Sequence, residues 1–338
     1  MNIKTKSILN KIWGFIKGNP IIIMMAVASI AVGFTIDNFF SGENFNVLAG
    51  NTTVRFLIAL GVSGCLITKG TDLSAGRQAA LAATLTGVMV QRINYSGRLW
   101  TWMPEMNMWI VLLIVLVIGA IIGLINGSII AYLKVPPFIA TLGIQNIIYG
   151  INLIYTGAQP IGGFSQPFKD FFNWKVLSFG EFKGFSGYIL FALFFGLLFW
   201  FLYNKTTHGK YMYAIGGNEN AAEVSGVNVR KSLTTIYMIA GLMYAFAGFL
   251  MTGKSGGASA SMGVSYELEA IAGCTIGGVS TTGGIGTVGG ILVGVLVFEL
   301  LKIILQFVGV DPNFNYIAQG LVVIIAVAMD IRKYVAKK

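Results

Sequence analysis

Long apolar runs separated by short polar segments constrain this chain more than any other feature. Ten of them are candidates for membrane-spanning helices: residues 21–40, 53–69, 76–90, 108–133, 136–155, 187–203, 233–252, 264–280, 288–308 and 316–331. About 17 to 25 apolar residues suffice to cross the hydrocarbon core of a bilayer as a helix. Two runs are weak, because 76–90 is short and 264–280 contains Glu267 and Glu269. The pattern predicts an all-α polytopic membrane protein with about ten transmembrane helices, in which residues 1–338 form a single domain.

The distribution of charge gives this fold an orientation. Only 11% of the residues are charged, compared with about 25% in an average soluble domain. Lysine and arginine concentrate on the cytoplasmic side of membrane proteins. Basic residues here precede the first run and follow the last: Lys4, Lys6, Lys11, Lys17, Arg332, Lys333, Lys337 and Lys338. We therefore predict cytoplasmic tails at 1–19 and 332–338, both termini cytoplasmic, and an even number of spans. Membrane orientation accounts for the net charge of +10 without a nucleic-acid partner.

Two glycine-rich motifs suggest nucleotide binding but lie in the wrong context. Gly248, Gly253, Lys254 and Ser255 match the phosphate-binding loop, and residues 284–289 match the dinucleotide fingerprint G-x-G-x-x-G. Each motif requires a preceding β-strand and a following helix whose amides face the phosphate. The first motif instead ends an apolar helical run, with Lys254 expected in a loop near the membrane surface, and the second opens a candidate span. We predict that this chain binds no nucleotide.

No group of residues indicates catalysis or metal binding. The single histidine, His208, lies in a polar segment that we expect to be solvated, and Cys65 and Cys274 lie inside candidate spans. The nucleophile, zinc-protease and Cys/His metal motifs are absent from the sequence. The sequence therefore predicts a non-catalytic membrane subunit with no metal and no cofactor of its own.

Two segments between the apolar runs are long, and the first is rich in aromatic residues. Residues 156–186 contain Phe164, Phe168, Phe171, Phe172, Trp174, Phe179, Phe182 and Phe185. Aromatic side chains in this number favour a segment at the membrane interface. A docking surface for an external partner is the alternative.

The second long segment, 204–232, contains the signals of a short helix. Asn218 suits the N-cap, Glu219 suits the positive end of a helix, and Gly226 suits the residue beyond the last turn. We predict a helix from Glu219 to Ser225. Its small residues, Ala221, Ala222 and Ser225, suggest that the helix fits a groove in another protein. An ordinary surface helix is the alternative.

Glycines at helical spacing predict close contacts between spans. Gly119, Gly123 and Gly127 share one helix face, and Gly290 and Gly294 share another. Small residues at such positions let two membrane helices approach closely.

Three stretches resemble the permease subunits of bacterial sugar ABC importers, a family that transports ribose, arabinose, xylose, galactosides and autoinducer-2. They are ITKGTDLSAGRQAALAA at 67–83, INGSIIAYLKVPPFIATLG at 125–143 and AIGGNENAAEVSGVNV at 214–229. The resemblance runs through nearly the whole chain in the same order. Together with YELEAIA at 266–272 and the C-terminal AMDIRKYVAKK, the first stretch is most similar to the galactose/methyl-galactoside permeases.

The resemblance implies partners and a coupling site. A family member works as a permease homodimer with a cytoplasmic ABC ATPase, which binds the ATP and magnesium, and with an extracytoplasmic sugar-binding protein. It lies in the bacterial cytoplasmic (inner) membrane, with segment 204–232 on the cytoplasmic side. The residues expected to couple to the ATPase are Gly217, Asn218, Glu219, Ala221, Ala222, Glu223, Ser225 and Gly226.

The resemblance also points to five residues of a translocation path or a structural turn. Asp72 and Ser74 belong to the family's D-L-S-x-G motif, and Asn126, Phe138 and Thr141 to its I-N-G and P-F-I-A-T-L-G stretches. A carboxylate beside a membrane segment needs a partner, which favours a structural turn at Asp72 and leaves a path-lining role open. Glu299 and Lys302, three residues apart, depart from the galactoside branch and are expected to form a structural ion pair.

The sequence thus predicts the permease of an ATP-driven monosaccharide importer, with galactose or methyl galactoside as its sugar. The alternatives are another sugar, or autoinducer-2, within the same family, and a secondary transporter driven by an ion gradient. A secondary transporter needs ion-coordinating residues near the membrane midplane and broken helices. This chain offers mainly Asp72 and the pair Glu299/Lys302 for that purpose.

Overall fold

The computed structural model describes residues 20–178, 182–311 and 313–335. Within these ranges it contains α1 (Pro20–Thr35), α2 (Gly42–Ile67), α3 (Ala75–Met89), α4 (Met108–Tyr132), α5 (Pro137–Thr156), α6 (Gln166–Asn173), β1 (Lys175–Val176), β2 (Phe185–Ser186), α7 (Leu190–Lys205), α8 (Thr207–Gly217), α9 (Glu219–Val224), α10 (Val229–Ser255), α11 (Tyr266–Ile276), α12 (Val288–Phe307) and α13 (Phe314–Val335). The predicted tail 1–19, Phe179 and residues 336–338 lie outside the described residues. Residues 332–335 continue α13.

Every predicted apolar run contains a helix, but the helices differ in length. In the described part of the chain, six helical segments are long and apolar enough to cross a membrane by length and composition: Gly42–Ile67, Met108–Tyr132, Pro137–Thr156, Gly187–Lys205, Val229–Ser255 and Val288–Phe307. Two shorter apolar helices lie at Ile22–Thr35 and Phe314–Ala328. The two weak runs contain α3, with 15 residues, and α11, with 11 residues. The protein is therefore a helical polytopic membrane protein in which the two weak runs form helices too short to cross a bilayer by themselves.

The bundle is centred on α10, which is covered by α2, α3 and α4. One end of the bundle carries α9 and is called the α9 end. The opposite end carries α6 and the two-stranded β-hairpin and is called the α6 end. Helix α2 runs from the α6 end, where Asn46 meets Ser186, to the α9 end, where Ile67 meets Gly284. Helix α10 runs in the opposite direction.

The two short helices begin inside the bundle rather than at its ends. After α2, residues 68–74 turn back and bring Asp72 to Tyr244 in the middle of α10. After α10, residues 256–265 turn back from the α6 end. The first turns of α3 and α11 then meet: a Cβ atom on Gly76 would collide with the Glu267 carboxylate of α11 and with the Gly263 carbonyl oxygen just before it. The pairs α2–α3 and α10–α11 therefore run in opposite directions, as in an inverted repeat.

The predicted glycine contacts are confirmed. Helix α4 lies so close to α10 that a Cβ atom on Gly123 would collide with the backbone of Tyr237. On the other side of the bundle, a Cβ atom on Gly294 would collide with the Gly273 carbonyl oxygen of α11. These contacts bring helix backbones together without intervening side chains.

Part of the aromatic segment packs inside the protein. Phe168 and Phe172 of α6 are buried, and their rings lie 5.6 and 5.8 Å from the ring of Phe249 in α10. Phe164 is buried beside Phe168, whereas Trp174 is 53% exposed. Burial of these rings against α10 closes the α6 end of the bundle, so three of the aromatic residues face the protein. The position of the segment at a membrane interface stays a prediction.

Candidate translocation and coupling sites

The turn between α2 and α3 is held by the carboxylate of Asp72, which is 1% exposed. Its Oδ1 atom accepts hydrogen bonds from the Ser74 amide at 2.9 Å and the Ser74 hydroxyl at 2.5 Å. Its Oδ2 atom accepts one from the Tyr244 hydroxyl at 3.1 Å. Three donors thus compensate the charge, and the carboxylate ties the turn to α10.

Ser74 and Thr141 extend this network to α4 and α5. The Ser74 hydroxyl oxygen accepts hydrogen bonds from the Asn126 side chain at 2.9 Å and from Gln78 at 2.8 Å. The Thr141 hydroxyl accepts one from the Leu73 amide at 3.1 Å. All these polar side chains are buried.

Four of the five residues assigned to a path or a turn are thus brought together, and the fifth is not. Asp72, Ser74, Asn126 and Thr141 form one buried network in which each side chain makes at least one hydrogen bond. Phe138 instead lies on the outside of α5 and is 55% exposed. The arrangement supports the structural role of the turn.

A second buried polar group joins α2, α11 and α12. The Arg55 Nε atom lies 2.7 Å from a Glu269 oxygen and 2.5 Å from a Glu299 oxygen. The Lys302 Nζ atom lies 2.6 Å from Glu269 and 3.3 Å from Glu299. The sequence predicted only the pair Glu299/Lys302, because the other two residues are far away in sequence and no local spacing links them. We call these four residues the ionic cluster.

The short helix predicted in segment 204–232 is present as α9. The Asn218 side chain caps it by accepting a hydrogen bond from the Ala221 amide at 3.0 Å. Gly226 has φ of 87°, the left-handed conformation expected beyond the last turn. The helix ends at Val224, and the Ser225 hydroxyl donates a hydrogen bond to the Ala221 carbonyl oxygen at 2.7 Å.

The orientation of α9 corrects the role expected of Ala222. This side chain is 5% exposed and packs with Ala131, Ile215, Val229 and Leu233 of the same chain. It therefore seats the helix on its own protein and is not available to a partner's groove. The outward face carries Glu219, Glu223 and Val224, of which Val224 is 91% exposed.

Helix α9 and the residue before its cap also contact the ends of α2 and α4. Lys69, which follows α2, donates a hydrogen bond from Nζ to the Gly217 carbonyl oxygen at 3.3 Å. Lys134, which follows α4, lies 3.5 Å from the Glu219 carboxylate. The segment before α9 is helical too, and His208 belongs to α8, where partial burial lowers its pKa. The expectation of a loop at His208 is therefore wrong, because the residue is helical, and its side chain is half-exposed.

Neither nucleotide motif has the required context. Lys254 lies in the last turn of α10 rather than in a loop, and its ammonium contacts the Asn51 side chain. Gly284 donates its amide to the Ile67 carbonyl oxygen at 2.8 Å, and α12 begins at Val288. In residues 20–178, 182–311 and 313–335 the strands are only those of the hairpin, so no strand leads directly into either motif.

A known family matches most of the chain. The profile described as "Branched-chain amino acid transport system / permease component" covers residues 44–327. The chain belongs to this permease family. No solved structure matches it.

Curated relatives of the chain include sugar importers. The galactose/methyl galactoside import permease MglC of Haemophilus influenzae is 45% identical over 332 residues, which are 97% of this chain and 98% of that protein. MglC of Escherichia coli K12 is 44% identical over 96% of this chain and 97% of its own length. The ribose import permease RbsC of H. influenzae is 33% identical over 92% of this chain and 90% of its own length.

Proposed function

We propose that this chain is the transmembrane permease subunit of an ATP-driven importer that brings galactose or methyl galactoside into the bacterial cytoplasm. The observation that carries the proposal is nearly full-length similarity to two MglC permeases, at 45% and 44% identity, against 33% to a ribose permease. The subunit is non-catalytic, needs no cofactor of its own, and lies in the inner membrane.

The proposed topology has ten crossings, with both termini and the α9 end in the cytoplasm. Eight helices cross singly. The remaining two crossings each combine a short helix with the turn before it, namely 68–74 with α3 and 256–265 with α11. The basic residues in the tails, such as Lys17 and Arg332, support this orientation.

The proposed assembly contains two copies of this chain, a cytoplasmic ABC ATPase that binds ATP and magnesium, and an extracytoplasmic sugar-binding protein. The ATPase contacts α9 through the exposed residues Glu219, Glu223 and Val224. Movement of α9 then reaches the ends of α2 and α4 through Lys69 and Lys134. A capped helix seated on its own protein transmits such a displacement better than a mobile loop.

The decisive experiment reconstitutes the permease with its ATPase and binding protein in vesicles and measures sugar uptake and ATP hydrolysis. Galactose-loaded binding protein should stimulate both, and ribose, arabinose, xylose or autoinducer-2 should not. Lys254→Ala is a matched control that should retain full activity, because Lys254 closes α10 and contacts only Asn51 among its described hydrogen-bond partners. Uptake that needs an ion gradient but no ATP would contradict the proposal and indicate a secondary transporter.

A further inference from the structure

A group of polar side chains surrounds the point where the first turns of α3 and α11 meet. Arg77, in the first turn of α3, donates a hydrogen bond to the Ala260 carbonyl oxygen at 3.1 Å. Its guanidinium carbon lies 3.9 Å from the centre of the Tyr149 ring of α5. Ser259 and Ser261 lie on either side of Ala260, and Ser261 is exposed. The guanidinium is thus fixed between a backbone carbonyl and an aromatic ring, beside two hydroxyls.

Glu267 adds a carboxylate to this group. It lies in the first turn of α11 and is 8% exposed. Its carboxylate lies against Gly76, where a Cβ atom would collide with it. In the described part of the chain Glu267 forms no salt bridge, whereas Glu269, two positions later, has two cations. Arg77 attracts this carboxylate without forming a salt bridge. A buried carboxylate is costly at membrane depth and marks a functional position.

The position of the group in the bundle is close to mid-membrane. Tyr244, which holds the turn before α3, lies about 22 Å along α10, whose 27 residues extend about 40 Å at 1.5 Å per residue. Non-helical backbone such as 256–265 is not tolerated in contact with lipid. It must be buried in protein or line a water-filled space. Yet Ser261 and Val264 are exposed on the single chain, and Ser259 and Ser265 are half-exposed.

We propose that Arg77, Tyr149 and Glu267, with Ser259 and Ser261, form the sugar-contacting surface of the translocation path, and that a second copy of this chain completes it. The proposal rests on the proposed sugar permease function. Carboxylate, guanidinium and hydroxyl groups exchange hydrogen bonds with sugar hydroxyls, and an aromatic ring packs on the apolar face of a pyranose. A symmetric dimer places two such surfaces opposite each other and shields both from lipid.

The buried network around Asp72 does not compete for this role. Its carboxylate already accepts three hydrogen bonds, and Ser74, Asn126 and Thr141 are buried against it. It sets the start of α3 and thereby the position of Arg77. The buried network thus has a structural role, and the proposed surface around Arg77 contacts the sugar.

The first test measures access of water to the proposed surface. Ser261→Cys is compared with Ile121→Cys, whose parent side chain is 49% exposed among apolar neighbours of α4. The native thiols, Cys65 and Cys274, are buried, so the wild-type protein provides the blank. In membrane vesicles, a charged methanethiosulfonate reagent should modify Ser261→Cys about tenfold faster than Ile121→Cys, because ions avoid hydrocarbon. Equal, slow modification of both variants would overturn the proposal.

The second test measures the sugar itself. Arg77→Lys and Glu267→Gln should each lower galactose uptake about tenfold, the loss expected for a hydrogen bond to a charged group. Permease abundance, ATPase co-purification and stimulation of ATP hydrolysis by loaded binding protein should remain. Glu43→Gln, an exposed carboxylate at the start of α2, is the matched control and should transport normally.

Unchanged uptake by both variants would refute the sugar-contact assignment. A wild-type complex whose ATP hydrolysis responds to no sugar would instead refute the proposed function, and the thiol test would still decide whether this surface lines an aqueous path. The two failures are therefore distinguishable.

Discussion

At the scale of single residues, the ionic cluster shows how this bundle accepts charge. Two cations and two carboxylates balance, and each of Glu269 and Glu299 faces both Arg55 and Lys302. Glu299 is fully buried, so water cannot replace a lost partner. The cluster is a neutral unit that joins three helices only while it is complete.

Removing one carboxylate from the cluster should be more harmful than removing a matched pair. Glu299→Gln leaves two cations against one carboxylate, and breaking a buried pair typically costs about 3–5 kcal/mol. The double variant Glu299→Gln/Lys302→Met keeps the charges balanced and should recover most of the loss. The measurement is the midpoint temperature of thermal unfolding in detergent. Equal midpoints for the single and double variants would show that charge balance is not the cause.

Asp72 should likewise be sensitive to the loss of its hydrogen bonds. Asp72→Leu removes the acceptor of all three hydrogen bonds and leaves the Ser74 and Tyr244 donors without a partner there. Asp72→Asn keeps the size and one acceptor oxygen. Because each hydrogen bond to a charged group contributes about 1.5–3 kcal/mol, the Leu variant should yield much less folded permease than the Asn variant. Normal membrane levels of both, with transport lost, would indicate instead that Asp72 lines the path.

At the scale of elements, α9 could be predicted because its signals are local. A cap at Asn218 and a glycine at 226 define a short helix whatever surrounds them. The direction of its faces could not be predicted, because six residues make too few turns to show an amphipathic pattern. The seat for Ala222 is formed by Ala131, Ile215, Val229 and Leu233, which come from other segments.

The outward face of α9 should carry the contact with the ATPase. Val224→Asp places a charge on a 91% exposed apolar residue and should lower co-purification of the ATPase about tenfold, the effect of losing a central contact residue. Ala222→Trp should have the same effect for another reason, because the ring cannot fit between Ala131 and Ile215 and must displace the helix. Both variants should insert normally and fail to stimulate ATP hydrolysis.

The control for this prediction lies at the other end of the bundle. Ile93 is 62% exposed and follows α3, beside the hydrogen bond from Arg92 to Gly163. Ile93→Asp should leave ATPase co-purification unchanged. Full co-purification and stimulation by Val224→Asp would show that α9 is only a surface helix.

At the scale of the whole molecule, the sequence located every apolar segment but not the path of the chain. Hydropathy shows that a segment is apolar. It cannot distinguish a helix that spans the membrane from one that starts inside the bundle. The weakness of runs 76–90 and 264–280 was the only sign of α3 and α11. Their meeting depends on contacts such as that of Gly76 with Gly263, which join distant parts of the chain. Arg77 and Glu267 were missed as a site for the same reason.

The opposite directions of α2–α3 and α10–α11 also bear on how the protein is made. Helix α3 is only about 22 Å long, too short to cross a core of about 30 Å. Synthesis completes it long before α10 exists, so Asp72 has no Tyr244 to hold it and Gly123 has no partner helix. The first half of the bundle therefore reaches its final packing only after Val229–Ser255 has been made and fills its centre. A chain that stops before that point leaves the Oδ2 atom of Asp72, at membrane depth, without the hydrogen bond from Tyr244.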